Sequence, residues 1–267
     1  MRRLTFVAGV AAGAWLLHEH RTKRRAERFA AAALESLLKA IDANDPQTGA
    51  HVRRVARYAL ILADLIGVDQ ETRRTIELGA LFHDVGKIHE ALFDIVHEQR
   101  KLTPEERHKI ATHPVRGAQV LAPIAHFHEE LAEAVLAHHE RWDGTGYPRG
   151  LLGVAIPFAA RVITIADTFD AVTHHRRYRD GRTAIEALNI ILRGRGTQFD
   201  PDLVDLLLLP PVFEQFAHAH REASRRQPGL RNRRDGQGIE NGPNVSFRWR
   251  SRSDPPAGVG EKMAAAR

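Results

Sequence analysis

Apolar residues recur at spacings of three and four along most of the chain, and this pattern predicts α-helices. One clear helix face is formed by Val52, Val55, Ala59, Leu62, Leu65 and Ile66. Gly67 is expected to end that helix. No segment shows sustained alternation of apolar and polar residues with turn signals on either side. The sequence therefore predicts an all-α fold.

Two later segments carry signals for the start of a helix. Thr103 can cap a helix whose first turn contains Pro104, and Glu106 can reach back to the cap. Asp200 and Pro201 form a similar start ahead of the apolar run 203–209. We expect helices to begin at both points.

The two ends of the chain differ from its centre. Residues 4–17 are apolar with basic flanks, but they are fewer than the roughly 20 residues that span a bilayer. They can form a membrane anchor, a signal-like segment or the start of an ordinary helix. From residue 223 the chain is rich in Arg, Gly, Pro and Asn, which predicts a disordered basic tail. The predicted divisions are an apolar segment with a linker helix (1–36), a folded domain (37–222) and the tail (223–267).

Composition excludes several classes of site. The 267 residues include no cysteine, so the chain has no disulfide, no thiolate zinc site and no cysteine nucleophile. This composition is compatible with a cytoplasmic protein, which residues 4–17 would attach to the inner face of the membrane if they form an anchor. The net charge of +6 suits an anionic ligand, although the Arg-rich tail supplies most of it. We expect that tail to be solvated and predict no specific nucleic-acid partner.

Histidines and aspartates recur at regular intervals along the helical part of the chain. The set consists of His51, His83, Asp84, His113, His138, His139 and Asp167. Apart from the two adjacent pairs, successive members lie 25 to 32 residues apart, which is about one helix, a turn and part of the next helix. Ligands with this spacing can converge from successive helices on the core of a bundle. Together they predict a metal site. The other eleven of the 16 histidines are expected to be exposed or packed, with His89 left open as a ligand.

The adjacent His-Asp and His-His pairs indicate two metal ions. Neighbouring residues on a helix point about 100° apart, so a pair reaches two ions about 3.5–4 Å apart more easily than a single ion. Asp84 has two carboxylate oxygens and can bridge them. Imidazole and carboxylate ligands favour Fe, Mn, Ni or Zn, and two such ions lower the pKa of bound water from about 15.7 towards about 7–9. Lys87, one turn beyond His83, would lie on the same helical face and can pair with a phosphate oxygen. This chemistry indicates a metal-dependent phosphohydrolase.

The blocks that contain these residues resemble the HD-GYP branch of the HD phosphohydrolase superfamily. The blocks are TGAHVRRV, HDVGKI, KLTPEERHKIATHP, HHERWDGTGYPRGL, IPFAARVITIADTFDAVT and GTQFDP, and they fall within residues 42–209. The resemblance implies an HD-type helical bundle with a metal site in its core. The best-known substrate of the family is the bacterial signal cyclic di-GMP. We therefore expect a phosphodiesterase that opens cyclic di-GMP to pGpG, with GMP as the product of an optional further step.

The resemblance also implies a role for each matching residue. One ion would be held by His51, His83, Asp84 and Asp167, and the second by His113, His138 and His139, with Asp84 bridging. Lys87 and Arg176 match residues that contact substrate phosphates, and Asp84 and Lys87 are the expected catalytic residues. Gly144, Gly146, Tyr147 and Pro148 match the loop that lines the substrate site. We expect two divalent ions, with Fe or Mn favoured.

Two positions depart from the usual pattern of the family. Some members bind a third ion through a glutamate four residues before the first histidine, where this chain has Gln47. An amide is a poor substitute for a carboxylate, so two ions are favoured over three. The segment IHEALFDIVHEQRKL replaces the more usual GIPDAILNKPGKL and adds bulk and charge near the site. We expect it to alter substrate access, in a direction that the sequence leaves open.

Two other functions stay open. The chain can hydrolyse another cyclic or linear nucleotide, or it can be a non-catalytic module that binds a cyclic dinucleotide or a protein. Loss of ligands would favour the second alternative, and every ligand is present. No sensory or receiver domain is recognisable ahead of the predicted catalytic domain, so we expect control through expression, localisation or partners. Expected partners besides the nucleotide are a membrane, through residues 4–17, and diguanylate cyclase domains.

Overall fold

The protein is described by a computed structural model that covers residues 2–88, 103–128, 130–174 and 181–225. The helices are α1 (Arg2–Asn44), α2 (Pro46–Ile66), α3 (Gln70–Phe82), α4 (Pro104–Ile110), α5 (His113–Leu121), α6 (Leu131–Ala137), α7 (Phe158–Thr173), α8 (Ala184–Arg193), α9 (Pro201–Leu207) and α10 (Pro210–Arg225). Within these ranges there is no β-strand, and the isolated bridges join Asp143 to Leu152 and Arg195 to Phe199. The prediction of an all-α fold is confirmed.

The chain divides into two compact units. The smaller unit includes Met1–Ser36, and the larger unit spans Leu37–Arg234. Helix α1 begins in the smaller unit and ends in the larger one. Residues 4–17 lie within α1, and no helix in the described part of the chain is long and apolar enough to cross a membrane.

Helix α2 begins and ends at residues that the sequence marks clearly. The Asp45 side chain accepts a hydrogen bond from the Gln47 amide at 2.9 Å, and Gly67 adopts a left-handed conformation with φ 75° that ends the helix. Four of the six residues of its predicted apolar face are buried: Val52, Val55, Ala59 and Leu62. Leu65 and Ile66 are instead 40% and 39% exposed, because they lie in the last turn beside Gly67. The predicted apolar face therefore extends one turn too far.

Both later helix starts form where the sequence predicts them. Thr103 and Glu106 complete a reciprocal capping box at the start of α4. Asp200 accepts a hydrogen bond from the Asp202 amide at 2.9 Å, and Pro201 is the first residue of α9. The last helix, α10, continues to Arg225, so the predicted boundary between residues 222 and 223 falls inside it. Residues 226–267 lie outside the described residues, and disorder of the tail stays a prediction.

Packing between the helices brings distant parts of the sequence together. Helix α2 packs against α3, α7 and α10, and α3 also packs against α6 and α7. Helix α5 packs against α6 and against the 3₁₀ turn Val85–Ile88 that follows α3. The C-terminal ends of α3 and α6, the start of α5 and the middle of α2 and α7 therefore meet in one region of the larger unit.

Candidate metal centre

Most of the predicted ligands lie at the ends of helices. His83 is the residue directly after α3, His113 is the first residue of α5, and His138 directly follows α6. His51 and Asp167 are the exceptions, because they lie inside α2 and α7. The position of the adjacent pairs at helix ends explains how both members can point into one site.

The interpretation that Lys87 shares a helical face with His83 is wrong. Helix α3 ends at Phe82, and Lys87 lies in the 3₁₀ turn Val85–Ile88. The turn nevertheless brings the Lys87 ammonium to 2.7 Å from Oδ2 of Asp84. The side chain of Lys87 therefore still reaches the predicted site, by a different local route.

The predicted ligands gather into two groups of three. The His113 site consists of His113, His138 and His139, and the His51 site consists of His51, His83 and Asp167. Within each group, one ligand atom from each residue lies within 4.8 Å of the others. Each site has the size and the chemistry to hold one divalent ion.

Asp84 lies between the two sites. Its Oδ1 atom is 3.3 Å from Nε2 of His113, and its Oδ2 atom is 3.6 Å from Nε2 of His83 and 3.9 Å from Nε2 of His51. One oxygen of this carboxylate therefore faces each site. This is the arrangement that a bridging ligand requires.

Hydrogen bonds to the backbone set the tautomer of three ligand histidines. His83, His113 and His138 each donate Nδ1–H to the carbonyl three residues earlier, at 2.8, 2.7 and 2.6 Å. Their Nε2 atoms are therefore left with lone pairs that face the site. Nε2 of His113 and Nε2 of His138 are only 3.1 Å apart, and two lone pairs at this distance repel each other unless a cation or proton lies between them.

Two buried polar atoms at the centre have no hydrogen-bond partner among the described residues. They are Nε2 of His83 and Oδ1 of Asp84. Buried polar atoms almost always have a partner, because leaving one unpaired costs about 1–3 kcal/mol. Both atoms belong to residues of the metal-binding set and face its interior, so the residues present fit divalent ions.

Burial favours the neutral form of His83, His138 and His139. It lowers the pKa of His83, lowers that of His139 to about 3 and holds that of His138 well below its usual range. For Asp84 burial acts to raise the pKa, but the positive charge of Lys87 and the neighbouring imidazoles outweigh it and hold the pKa well below normal. Neutral imidazoles and an ionised carboxylate are the forms that bind metal.

His51 is oriented by an acid that the sequence prediction missed. Its Nδ1–H donates to Oδ2 of the buried Asp170 at 2.7 Å, and Arg54 donates to both oxygens of Asp170 at 2.7 and 2.9 Å. Burial acts to lower the pKa of His51, but the hydrogen bonds with Asp167 and Asp170 raise it to about 9. The spacing places Asp170 three residues after Asp167 on the same helix, but its contact with His51 of α2 exists only in the folded chain.

The loop Gly146–Tyr147–Pro148 folds against the His138–His139 pair. The Tyr147 ring stacks on the His139 ring with centroids 5.0 Å apart, and burial raises the pKa of Tyr147 to about 12. A Cβ atom at Gly146 would lie 2.3 Å from the backbone nitrogen of Arg141, so only glycine fits there. The structure thus brings Gly146 and Tyr147 next to the predicted ligands His138 and His139, and Pro148 follows them at the surface.

The side chain of Glu140, which the sequence prediction also missed, closes this loop. The buried carboxylate accepts hydrogen bonds from the backbone amides of Arg149 at 2.7 Å and Leu151 at 3.0 Å. Because Glu140 directly follows His139, it ties the far end of the loop to the ligand pair. The sequence does show an acid next to two predicted ligands. It does not show that the partners of this acid are backbone amides of the loop.

The remaining predicted residues differ in where they lie. Arg176 and the divergent segment 89–102 are outside the described residues, so their contacts stay predictions. Gln47 is exposed near the start of α2. Among the histidines that were not predicted as ligands, His18, His108 and His218 are exposed, whereas His174 and His220 pack against each other.

The sequence resembles known proteins over most of the described region. Residues 35–203 match the HD domain family. The cyclic di-GMP phosphodiesterase response regulator RpfG of Xanthomonas campestris is 40% identical over 177 residues, which cover 66% of this chain and 46% of RpfG. The 3′3′-cGAMP-specific phosphodiesterase 2 of Vibrio cholerae is 38% identical over 175 residues, which cover 65% of this chain and 33% of that protein. The chain thus spans less than half the length of these two relatives.

A solved structure shares the fold. The crystal structure of a cyclic GMP-AMP-specific phosphodiesterase of V. cholerae matches with a TM-score of 0.51 at 21% identity, covering 72% of this chain and 52% of that one. The predicted HD-type bundle is therefore confirmed. The matched region contains both the His83–Asp84 pair and the Gly146–Tyr147–Pro148 loop. This chain belongs to the HD domain family, in its HD-GYP branch.

Proposed function

We propose that this protein is a metal-dependent phosphodiesterase that opens cyclic di-GMP to pGpG. The observation that carries the proposal is the position of Asp84, with one carboxylate oxygen towards each group of three ligands. The names of the two relatives support the substrate class, because both are phosphodiesterases of cyclic dinucleotides. Further cleavage to GMP would use the same residues on a linear substrate.

The proposed cofactor is a pair of divalent ions, Fe or Mn. His51, His83 and Asp167 would hold one, and His113, His138 and His139 the other, with Asp84 shared. When bound, two such ions supply a water molecule activated at neutral pH and positive charge that offsets a phosphodiester. The exposed amide of Gln47 gives no carboxylate for a third ion.

Lys87 and Tyr147 are the proposed substrate contacts in the described part of the chain. The Lys87 ammonium lies at the edge of the centre, 2.7 Å from Oδ2 of Asp84, and can hold a phosphate oxygen there. Tyr147 covers the ring of His139 and limits the access of water from that side. Arg176 is proposed as a second phosphate contact from the sequence alone.

A second candidate substrate is 3′3′-cGAMP. A V. cholerae relative named for this nucleotide is 38% identical, against 40% for the relative named for cyclic di-GMP. Both nucleotides present the same phosphodiester to the ions and to Lys87, so these residues do not discriminate between them. Association with a membrane through residues 4–17 and with diguanylate cyclase domains remains a prediction from the sequence.

The test is a substrate panel with the purified full chain. The protein is loaded without oxygen with Fe²⁺ or Mn²⁺ and incubated with cyclic di-GMP, 3′3′-cGAMP and a linear dinucleotide, and the products are separated by chromatography. His138→Asn removes one ligand, and His108→Ala is the matched control because His108 is exposed. We expect pGpG from the wild type and from His108→Ala, and none from His138→Asn.

The outcomes separate the candidate functions. Faster cleavage of 3′3′-cGAMP than of cyclic di-GMP would replace the proposed substrate with the second candidate. Tight binding of cyclic di-GMP by the metal-loaded protein without any cleavage would favour a non-catalytic binding module.

A further inference from the structure

A pair of histidines lies behind Asp170, on the side away from the metal centre. Nδ1 of His174 is 3.0 Å from Oδ1 of Asp170. The ring of His174 in turn meets the ring of His220 edge to face, with centroids 4.9 Å apart and planes at 83°. His174 directly follows α7, and His220 lies in α10. The line of contacts therefore runs from α10 through two imidazoles to the acid that orients His51.

Two oxygens face Nδ1 of His174: Oδ1 of Asp170 at 3.0 Å and Oγ1 of Thr173 at 3.3 Å. The ionised Asp170 carboxylate can only accept, and the Thr173 hydroxyl already donates to the Phe169 carbonyl, so Nδ1 of His174 carries the hydrogen. The other ring nitrogen, Nε2 of His174, is buried without a hydrogen-bond partner among the described residues. The outer side of the ring is thus held by packing, and the ring of His220 supplies that contact.

Helix α10 is fixed to the helix that carries His51. Phe216 of α10 stacks on Tyr58 of α2, with centroids 5.2 Å apart. Nearer its C-terminal end, Glu222 forms an ion pair with Arg57 of α2. These two contacts lie on either side of His220 along α10. They hold His220 in register with His174.

We propose that His174 and His220 are positioning residues that hold Asp170, and through it His51, in the orientation needed to bind metal. The inference rests on the metal centre that forms part of the proposed function. Helix α10 is then part of the outer support of the His51 site. His220 lies beyond residues 35–203, the part of the chain that matches the HD domain family.

The geometry at Asp170 explains why this support matters. Oδ2 accepts hydrogen bonds from His51 and from Nη2 of Arg54, while Oδ1 accepts one from Nε of Arg54 and lies 3.0 Å from Nδ1 of His174. Without His174, Arg54 still contacts both oxygens of Asp170, but the carboxylate loses its contact on the side opposite His51 and can shift towards the space left by the ring. Such a shift lengthens the hydrogen bond between Oδ2 and Nδ1 of His51, so Nε2 of His51 no longer points steadily at the ion. Loss of such an outer contact lowers metal affinity about 10- to 100-fold.

The experiment measures metal affinity rather than activity. Mn²⁺ is titrated calorimetrically into the full metal-free chain and into the variants His174→Ala, His174→Asn and His220→Ala. Asn is the conservative variant because its amide N–H can replace Nδ1–H as a donor to Asp170. His218→Ala is the matched control, since His218 lies on α10 but is exposed. His139→Ala removes a ligand of the His113 site and identifies which binding phase belongs to each site.

We expect His174→Ala to weaken Mn²⁺ binding at the His51 site about 10- to 100-fold, with a smaller change at the His113 site. The Mn²⁺ affinity of His174→Asn should be close to that of the wild type. The affinity of His220→Ala should lie between those of His174→Ala and the wild type, and His218→Ala should match the wild type. Thermal unfolding of each metal-free variant is measured alongside. Unchanged affinity in His174→Ala would overturn the inference, and so would an equal loss at both sites with a lower unfolding midpoint, because that is the result of a purely structural role.

The same titration separates this inference from the proposed function. A wild-type chain that binds two Mn²⁺ ions but cleaves no nucleotide would contradict the function, while the variants would still decide the inference. A wild-type chain that binds no Mn²⁺ would overturn the metal centre and the inference together.

Discussion

Oδ1 of Asp84 lies 3.3 Å from Nε2 of His113, while the other oxygen of the same carboxylate faces the His51 site. One side chain therefore connects ligands that are distant in the sequence and belong to two separate groups. If Asp84 binds both ions, each ion's affinity depends on it. The two sites should consequently respond to a change at Asp84 as a single unit.

Replacement of Asp84 by Ala should abolish turnover and weaken the binding of both ions. The physical reason is that Ala removes a ligand oxygen from each site and leaves His83 and His113 without the charge that faces them. Metal content by elemental analysis after desalting, with turnover of cyclic di-GMP, checks this. Asp205→Ala is the matched control, because Asp205 pairs with Arg195 at the surface. Retention of both ions in Asp84→Ala would show that Asp84 does not bridge.

Replacement of Lys87 by Ala should slow the reaction and leave the metals bound, because an ammonium group is not a metal ligand. Loss of one charge-assisted phosphate contact costs about 1.5–3 kcal/mol, which is roughly a 10- to 100-fold fall in kcat/KM. A contact of equal strength in ground and transition states would raise KM, and one that strengthens in the transition state would lower kcat. Steady-state kinetics with elemental analysis makes the measurement, with the exposed Lys109 changed to Ala as the control. Loss of metal from Lys87→Ala would assign the side chain to the support of Asp84 instead.

Replacement of Glu140 by Gln should loosen the loop that contains Tyr147. The amide keeps one acceptor for the backbone N–H groups of Arg149 and Leu151, but its NH₂ group faces the other donor. A buried donor left unpaired costs about 1–3 kcal/mol in the free energy of unfolding. Denaturant unfolding should show this loss, and KM should rise while metal content is unchanged. A stable variant with unchanged KM would mean that the loop does not need this carboxylate.

Metal binding should release a proton from His51 at neutral pH. In the metal-free protein the pKa of His51 is raised from 6.5 to about 9, so the imidazole is charged at pH 7 and must lose its proton to bind an ion. The same shift stabilises the metal-free fold fully below pH 6.5, and this stability is lost as the pH rises through about 9. Calorimetric titration with Mn²⁺ in buffers of different ionisation enthalpy should give about one proton released at pH 7 and fewer above pH 9. Equal proton release at both pH values would contradict the raised pKa.

The candidate ligands that the fold brings together could be selected from the sequence, because their residue types and spacing carry the information. His113 and the His138–His139 pair stand at the ends of short helices, and their separation along the chain reflects that local structure. Asp170 and Glu140 could not be identified in the same way. Asp170 acts through a contact between α7 and α2, and Glu140 acts on backbone amides, so both roles exist only in the folded chain.

The errors in prediction also have local causes. The helical pattern around His83 gave no signal that α3 ends at Phe82, so Lys87 was assigned to the wrong local structure. Apolar residue type alone similarly assigned Leu65 to the apolar face of α2, although the last turn of this helix is partly exposed. In both cases the error lies at a helix end, where the periodicity of the sequence carries the least information.

The ligand histidines differ in what fixes their tautomer, and this has a consequence for how the centre can change in evolution. His83, His113 and His138 are held by main-chain carbonyls, which every amino-acid replacement at those neighbouring positions leaves in place. His51 depends on a side chain, Asp170, which a single codon change can alter. Divergence in metal preference among descendants of this chain should therefore begin at the half of the centre that contains His51.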